Sequence, residues 1–255
     1  MSSPVNQSVS PAVNPTVIPA AIQSPGSPPG FFGKLMSHAD FVTRRMPPGF
    51  LTRWDGWLQE AVHTARRRMG EEWLAIYLQS PIWRFALASG VCDQHAWAGV
   101  LMPSVDSIGR QFPLTIVARL PSGACVLDCL RAGNGWYAAL EGLALSSLEE
   151  GFALDAFDAA LLTMLPTFAA PGQPALSAPD GYRMTIPSLD QLGASLPAVV
   201  ATLASVTLHG HSLWWTEGAE NIAPSLLACK GLPAPAAMAG MLDGGWEQSG
   251  WRSCG

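Results

Sequence analysis

Charge is scarce in this 255-residue chain: only 13% of its residues are Asp, Glu, Lys or Arg, 49% are hydrophobic, and the net charge is -5. That balance offers no general attraction to nucleic acid or to an acidic membrane, either of which calls for a basic stripe. A membrane span is not expected either. The longest uncharged apolar stretch near the C-terminus, 191–208, is interrupted by Gly193, Ser195, Pro197, Thr202 and Ser205 and reads as an amphipathic core helix. No lysine or arginine precedes Lys34 and no compact apolar segment follows Met1, so a signal peptide is not expected. Five cysteines at irregular spacing, Cys92, Cys125, Cys129, Cys229 and Cys254, suggest reduced, buried thiols of a cytoplasmic protein. Cys125 and Cys129 lack the two-residue spacing of redox and zinc motifs.

Catalytic signatures are missing too. The chain has no G-x-S-x-G elbow, no G-x-x-x-x-G-K phosphate loop, no H-E-x-x-H and no G-x-G-x-x-G. Cys92-Asp-Gln-His95 and His209-Gly-His211 could each supply two metal ligands, whereas a structural zinc wants four. Neither a metal nor a cofactor is expected. Asp40, Asp55 and Asp106 are available for acid–base chemistry but are marked by nothing beyond their type.

What is abundant is tryptophan, ten in all. Indoles are favoured in cores and at the centres of interfaces alike, so the surplus fits a binding protein without proving one. The most informative stretch is 97–120, which reads as two strands, Trp97–Val105 and Gln111–Leu120, joined by a turn over Asp106–Gly109. The first is apolar on both faces, as expected where helices cover both sides of a sheet. In the second, Phe112, Leu114, Ile116, Ala118 and Leu120 should line one face, with Thr115 and Arg119 on the other. Asp106 and Arg110 are the only ionic groups from Ala96 to Ala118. In so apolar a setting each needs a partner, and each is the other's nearest.

Residues 1–29 are rich in proline and serine, uncharged and aperiodic, and read as a leader dispensable for folding. Folded structure should begin with a short strand at Gly30–Leu35. The clearest helix, Phe50–Met69, repeats Leu51, Trp54, Leu58, Ala61, Val62, Ala65 and Met69 at helical spacing between Pro47-Pro-Gly49 and Gly70. A short helix is expected over Glu71–Leu78, a strand over Ile82–Ala88, and helices over Trp136–Leu148 and Leu154–Leu165. A proline- and alanine-rich loop, a strand at Tyr182–Ile186 and a helix at Ser195–Val206 follow. Strands at Ser212–Glu217 and Ser225–Cys229 and a short helix at Ala234–Leu242 complete the chain, leaving 244–255 as a tail. Interleaved helices and sequential hairpin strands predict one α/β domain over 30–243, an αβα sandwich whose mixed sheet is covered by helices on both faces.

Several of these segments form an ordered set of motifs. Gly30-Phe-Phe-Gly-Lys-Leu35 with Asp40-Phe41 is followed by Trp54-Asp-Gly-Trp57 and Trp83-Arg-Phe85. Then come Gly99-Val-Leu-Met-Pro-Ser-Val-Asp106 with Gly109-Arg110 and Phe112-Pro-Leu114, and Ser212-Leu-Trp-Trp-Thr-Glu-Gly218 with Gly231-Leu-Pro233. Together they resemble the TagF/ImpM family, which accompanies the type VI secretion system of Gram-negative bacteria. The chain departs from the family pattern at Met36 and Ala39, where proline and glycine are usual. The resemblance implies a cytoplasmic accessory protein that restrains type VI secretion after translation, without catalysis, by binding the forkhead-associated scaffold protein of the apparatus. Some relatives carry a metal-dependent phosphatase domain on the same chain; none is expected here after residue 243.

Two functions from different classes follow. One is a binding module with Trp83, Arg84, Asp106, Arg110, Trp214 and Trp215 as candidate partner-binding residues. Trp214 and Trp215 point to opposite faces of their strand, so if one face is open an indole is free to anchor a partner. The other is an unrecognised enzyme or small-ligand domain using Asp106, Arg110 and Lys34. Convergent polar groups in a deep pocket would favour the enzyme, and an exposed aromatic patch the binder.

Overall fold

The structure is a computed structural model describing residues 26–168 and 207–254, with Val200, Leu203 and Ala204 between them. Its strands are β1 (Gly30–Gly33), β2 (Val42–Arg44), β3 (Trp83–Leu87), β4 (Trp97–Met102), β5 (Leu114–Arg119), β6 (His211–Thr216) and β7 (Ser225–Lys230). They form one seven-stranded sheet in the order β2-β1-β5-β4-β3-β6-β7. Among the described residues every strand pairing is antiparallel, so the sandwich expected from the sequence is present but the sheet they form is not mixed. Sequential hairpins supply most of the neighbours, and the β3–β6 and β1–β5 contacts close the order without a parallel crossover.

Helices α1 (Pro48–Met69), α2 (Trp73–Gln79) and α6 (Ala237–Asp243) supply the buried side chains on one face of the sheet. Helices α3 (Leu127–Ala132), α4 (Asn134–Ser146) and α5 (Leu154–Leu162) supply those on the other. Proline near its start and Gly70 at its end bound α1, and Arg66, Arg67 and Arg68 sit in the last turn, where cations favour the helix dipole. Alternation then sorts the strands. Trp83, Phe85 and Leu87 face α1, and Ala86 and Ala88 face α4. Gly99 leaves room for this packing: a Cβ there would stand 2.1 Å from the Ile116 carbonyl oxygen and 2.9 Å from the Phe85 ring.

One face assignment differs. Phe112 packs with the α1 layer, while Leu114, Ile116 and Leu120 pack on the opposite side. The ladder stops at Met102↔Leu114 and resumes as an isolated bridge at Val105↔Gln111. Between these points lie Pro103 and Pro113, which have no N–H to donate, and the released backbone turns Phe112 over.

The tryptophans account for much of the core. Trp54 donates from Nε1 to Thr115 Oγ1 at 2.9 Å, Trp57 to the Pro233 carbonyl at 2.7 Å and Trp83 to the Met241 carbonyl at 2.9 Å. Trp251 donates to the Ala237 carbonyl at 3.0 Å, so residues read as a tail fold back onto the domain. Only Cys125 and Cys129 are buried among the cysteines, and Cys254 is exposed. Burial pushes the Cys129 thiol up to about 12, which keeps it protonated.

The expected strand at Tyr182–Ile186 lies outside the described residues, as does most of the expected helix at Ser195–Val206. The leader boundary moves. Ser27 N–H donates to the Arg119 carbonyl at 2.9 Å, its hydroxyl accepts from Arg119 N–H at 3.1 Å, and the Pro29 carbonyl accepts from Arg45 Nε at 3.0 Å. Deleting residues 1–25 should leave the melting temperature unchanged, while deleting 1–29 should lower it by roughly 3–6 °C. Equal melting temperatures for the two truncations in a calorimetric scan would show that these bonds contribute nothing.

Candidate functional site

Antiparallel pairing places the start of β3 and the ends of β1, β4 and β6 at one end of the sheet. The β4–β5 turn therefore lies at the same end as Lys34, Arg84 and Glu217. Residues written far apart in the chain meet there in two clusters.

The first is centred on Asp106, whose side chain is fully buried. Lys34 Nζ donates to Oδ2, as does Arg110 Nε at 2.6 Å; the backbone N–H groups of Ile108 and Arg110 donate to Oδ1 at 3.1 and 2.8 Å. Burial alone would raise the carboxyl pKa, but the Lys34 ammonium, the two backbone N–H groups and the Arg110 guanidinium outweigh it. They hold Asp106 well below the usual carboxylate range. Sequence reasoning paired Asp106 with Arg110, and the pair forms. The more buried partner is Lys34, which no spacing could reveal because the two residues are 72 positions apart. Gly33 brings the strand there: its φ is +145°, and a Cβ would lie 2.2 Å from the Pro113 carbonyl oxygen.

Beneath the turn, the Ser104 hydroxyl donates to the Lys34 carbonyl at 2.7 Å, and the Tyr77 hydroxyl donates to the Ser104 carbonyl at 2.9 Å. The Lys34 ammonium lies 4.8 Å from the centre of the Phe41 ring, which stacks on Phe32 and meets Phe112 edge-on. The loop between β1 and β2 is tied to the turn by Ser107 N–H donating to the His38 carbonyl and by Arg110 Nη2 donating to that of Ala39. Three large apolar side chains nevertheless remain in solvent on these two loops: Met36 at 47%, Phe41 at 48% and Ile108 at 68% exposure.

The second cluster surrounds Arg84, buried between the sheet and α4. Its guanidinium binds both oxygens of Glu141 at 2.7 Å, Asn134 Oδ1 at 2.7 Å and Glu217 Oε1 at 2.9 Å. The Glu141 hydrogen bonds are the main cause of its raised pKa, with Glu217 adding to them. Trp215, opposite Arg84 in register, is partly exposed and meets Tyr137 edge-on at 4.8 Å.

Of the two placements open to these indoles, anchor or core, Trp83 and Trp214 take the core. Trp214 is fully buried against Trp54, Trp57 and Phe85, and Trp83 is 2% exposed with its N–H on Met241. Helices on both faces leave Trp215 as the partly exposed one of the three. The sequence groups Lys34 with Asp106 and Arg110 only in the enzyme alternative, and Met36, Phe41 and Ile108 are the exposed residues it does not single out for binding. Their signals were the Gly30–Leu35 and Asp40-Phe41 motif, which brackets Met36, and the turn over Asp106–Gly109, which contains Ile108. A cavity of about 500 Å³ lies at the opposite end of the sheet, lined in part by Asp93, His95, Cys125 and His209, and contains none of these groups. Among the described residues no group of three or more His, Cys, Asp or Glu side chains is arranged to hold a metal ion, and no helix is long and apolar enough to cross a membrane.

This fold is an α/β sandwich built on a seven-stranded antiparallel sheet. Residues 30–164 match the family profile described as TagF N-terminal domain, type VI secretion system-associated. The crystal structure of PA0076 from Pseudomonas aeruginosa PAO1 is similar at 36% identity and a TM-score of 0.72, over 85% of this chain and 94% of that one. No curated protein matches. The chain belongs to the TagF family.

Asp106→Asn and Lys34→Met should each lower the melting temperature by more than about 5 °C, with the double variant losing less than their sum. Arg110→Gln should cost less, because its side chain is half in solvent. A folded-state pKa below the unfolded one stabilises fully above the unfolded value and is lost as pH falls through the folded one. The gap between the parent and Asp106→Asn should therefore narrow below about pH 4. A gap that holds constant down to pH 2 would show that Asp106 is not ionised in the fold. Trp214→Ala should cost about 3–5 kcal/mol in urea unfolding, as a large core side chain does; a loss under about 1 kcal/mol would place that indole outside the core.

Proposed function

We propose that this chain restrains type VI secretion after translation, acting in the cytoplasm as a non-catalytic module that binds and sequesters the forkhead-associated scaffold protein. Family membership supports the setting. The observation that carries the binding reading is the saturation of Asp106 by Lys34, Arg110 and two backbone N–H groups, beside three solvent-exposed apolar side chains.

A general base needs a carboxylate able to take up a proton near the working pH, and one held far below that range by four donors is a poor one. The same bonds suit a scaffold that holds two loops rigidly, since a preorganised surface loses little entropy on binding. Arg84 serves α4 and the end of β6 in a similar way. Of the residues proposed from sequence, Asp106, Arg110, Arg84 and Trp215 lie at the same end of the sheet, and Trp83 and Trp214 act through the core that supports it.

Two measurements test the proposal. Titration of the purified chain into the purified scaffold should give a dissociation constant on the order of micromolar or tighter. Overproduction in the host should lower secretion while transcript levels of the apparatus stay constant. No heat of association at high micromolar concentration would sink direct sequestration.

A further inference from the structure

We propose that the β4–β5 turn and the loop between β1 and β2 form the docking surface of this module, with Met36, Phe41 and Ile108 entering an apolar cleft on the partner. A carboxylate at the edge of that cleft faces Arg110. The inference rests on the binding function proposed above and says where it resides and what it recognises.

The surface has the anatomy of an interface centre. Apolar side chains are exposed together on two loops cross-tied by hydrogen bonds from Ser107 to His38 and from Arg110 to Ala39. Charged and polar groups surround them: Arg110, Asp40 and His38. A water-excluding apolar centre with a polar rim is how binding energy concentrates in protein interfaces. Phe41 is already braced by Phe32 and Phe112, so little side-chain freedom remains for it to lose on binding.

The partner's chemistry follows from what is left unfilled. Arg110 spends Nε on Asp106 and Nη2 on Ala39, while Nη1 has no hydrogen-bond partner among the described residues. Its side chain is 53% exposed, and Asp40 approaches only to 3.9 Å. A cationic donor with one open position pairs best with a carboxylate, which adds charge to the hydrogen bond. A second copy of the chain fits poorly, because two convex apolar tips meeting across a two-fold axis leave neither one enclosed. A lipid surface fits poorly as well: Asp40, its side chain 99% exposed beside Phe41, would be carried towards the headgroups of a membrane that a chain of net charge -5 does not attract.

The test uses the full chain and the purified scaffold in calorimetry, with three variants of exposed residues whose folding is confirmed by near-ultraviolet dichroism. Ile108→Glu should weaken binding at least tenfold, because it places a carboxylate in an apolar cleft beside another carboxylate. Ile108→Lys should weaken it several-fold less. Leu226→Glu, an equally drastic change on β7 at the far edge of the sheet, should bind like the parent. Parental affinity in Ile108→Glu overturns the docking surface, as does a loss confined to Leu226→Glu. Equal losses for Ile108→Glu and Ile108→Lys overturn the carboxylate at the rim. If the parent itself fails to associate, the scaffold-binding function falls and takes this surface with it, a result distinct from parental binding that survives at Ile108→Glu.

Discussion

A buried carboxylate is tolerated only when its lone pairs are filled, and that constraint organises one end of this molecule. Asp106 accepts from Lys34, from Arg110 and from two backbone N–H groups, and each donor comes from a segment that must be in place for the bond to exist. Lys34 fixes the exit of β1. Arg110 closes the β4–β5 turn and reaches Ala39 in the neighbouring loop. The cost of leaving any partner unpaired in this setting makes the arrangement cooperative. Two surface loops thereby acquire the rigidity of the sheet they crown.

The second buried charge obeys the same rule on the opposite face. Arg84 would be intolerable under α4 without Glu141, Asn134 and Glu217. Because β3, β4 and β6 are antiparallel, both charge clusters fall at one end of the sheet, while the 500 Å³ cavity falls at the other. Met36, Phe41 and Ile108 are exposed at the same end as these polar anchors. That coincidence underlies the binding role proposed for this TagF-family protein.

Tryptophan takes the core side of the two roles its abundance allowed. Trp54, Trp57, Trp83 and Trp214 are buried, and Trp57 and Trp83 donate to carbonyls of the C-terminal segment. Each buries a large ring and ties it by one directional bond, which fixes α1 and α6 to the sheet in a single register. The surplus indoles build the platform, and Met36, Phe41 and Ile108 expose apolar side chains on the loops above it.

Much of the architecture was legible without coordinates. The 3.6-residue period of α1, the two-faced apolar strands at 83–87 and 97–102, and the four-residue spacing of Asp106 and Arg110 are local patterns with local causes. They determined the helices, the central hairpin, the two-sided burial of the sheet and one of its ion pairs. Tertiary structure decided the rest. It made the sheet antiparallel throughout, turned Phe112 over beside the opposed prolines, buried Trp83 and Trp214, and set Lys34 against a carboxylate 72 positions away. Periodicity records which side of an element is apolar, but the partner that covers it is chosen by strand order and burial, and these exist only once the whole chain has packed.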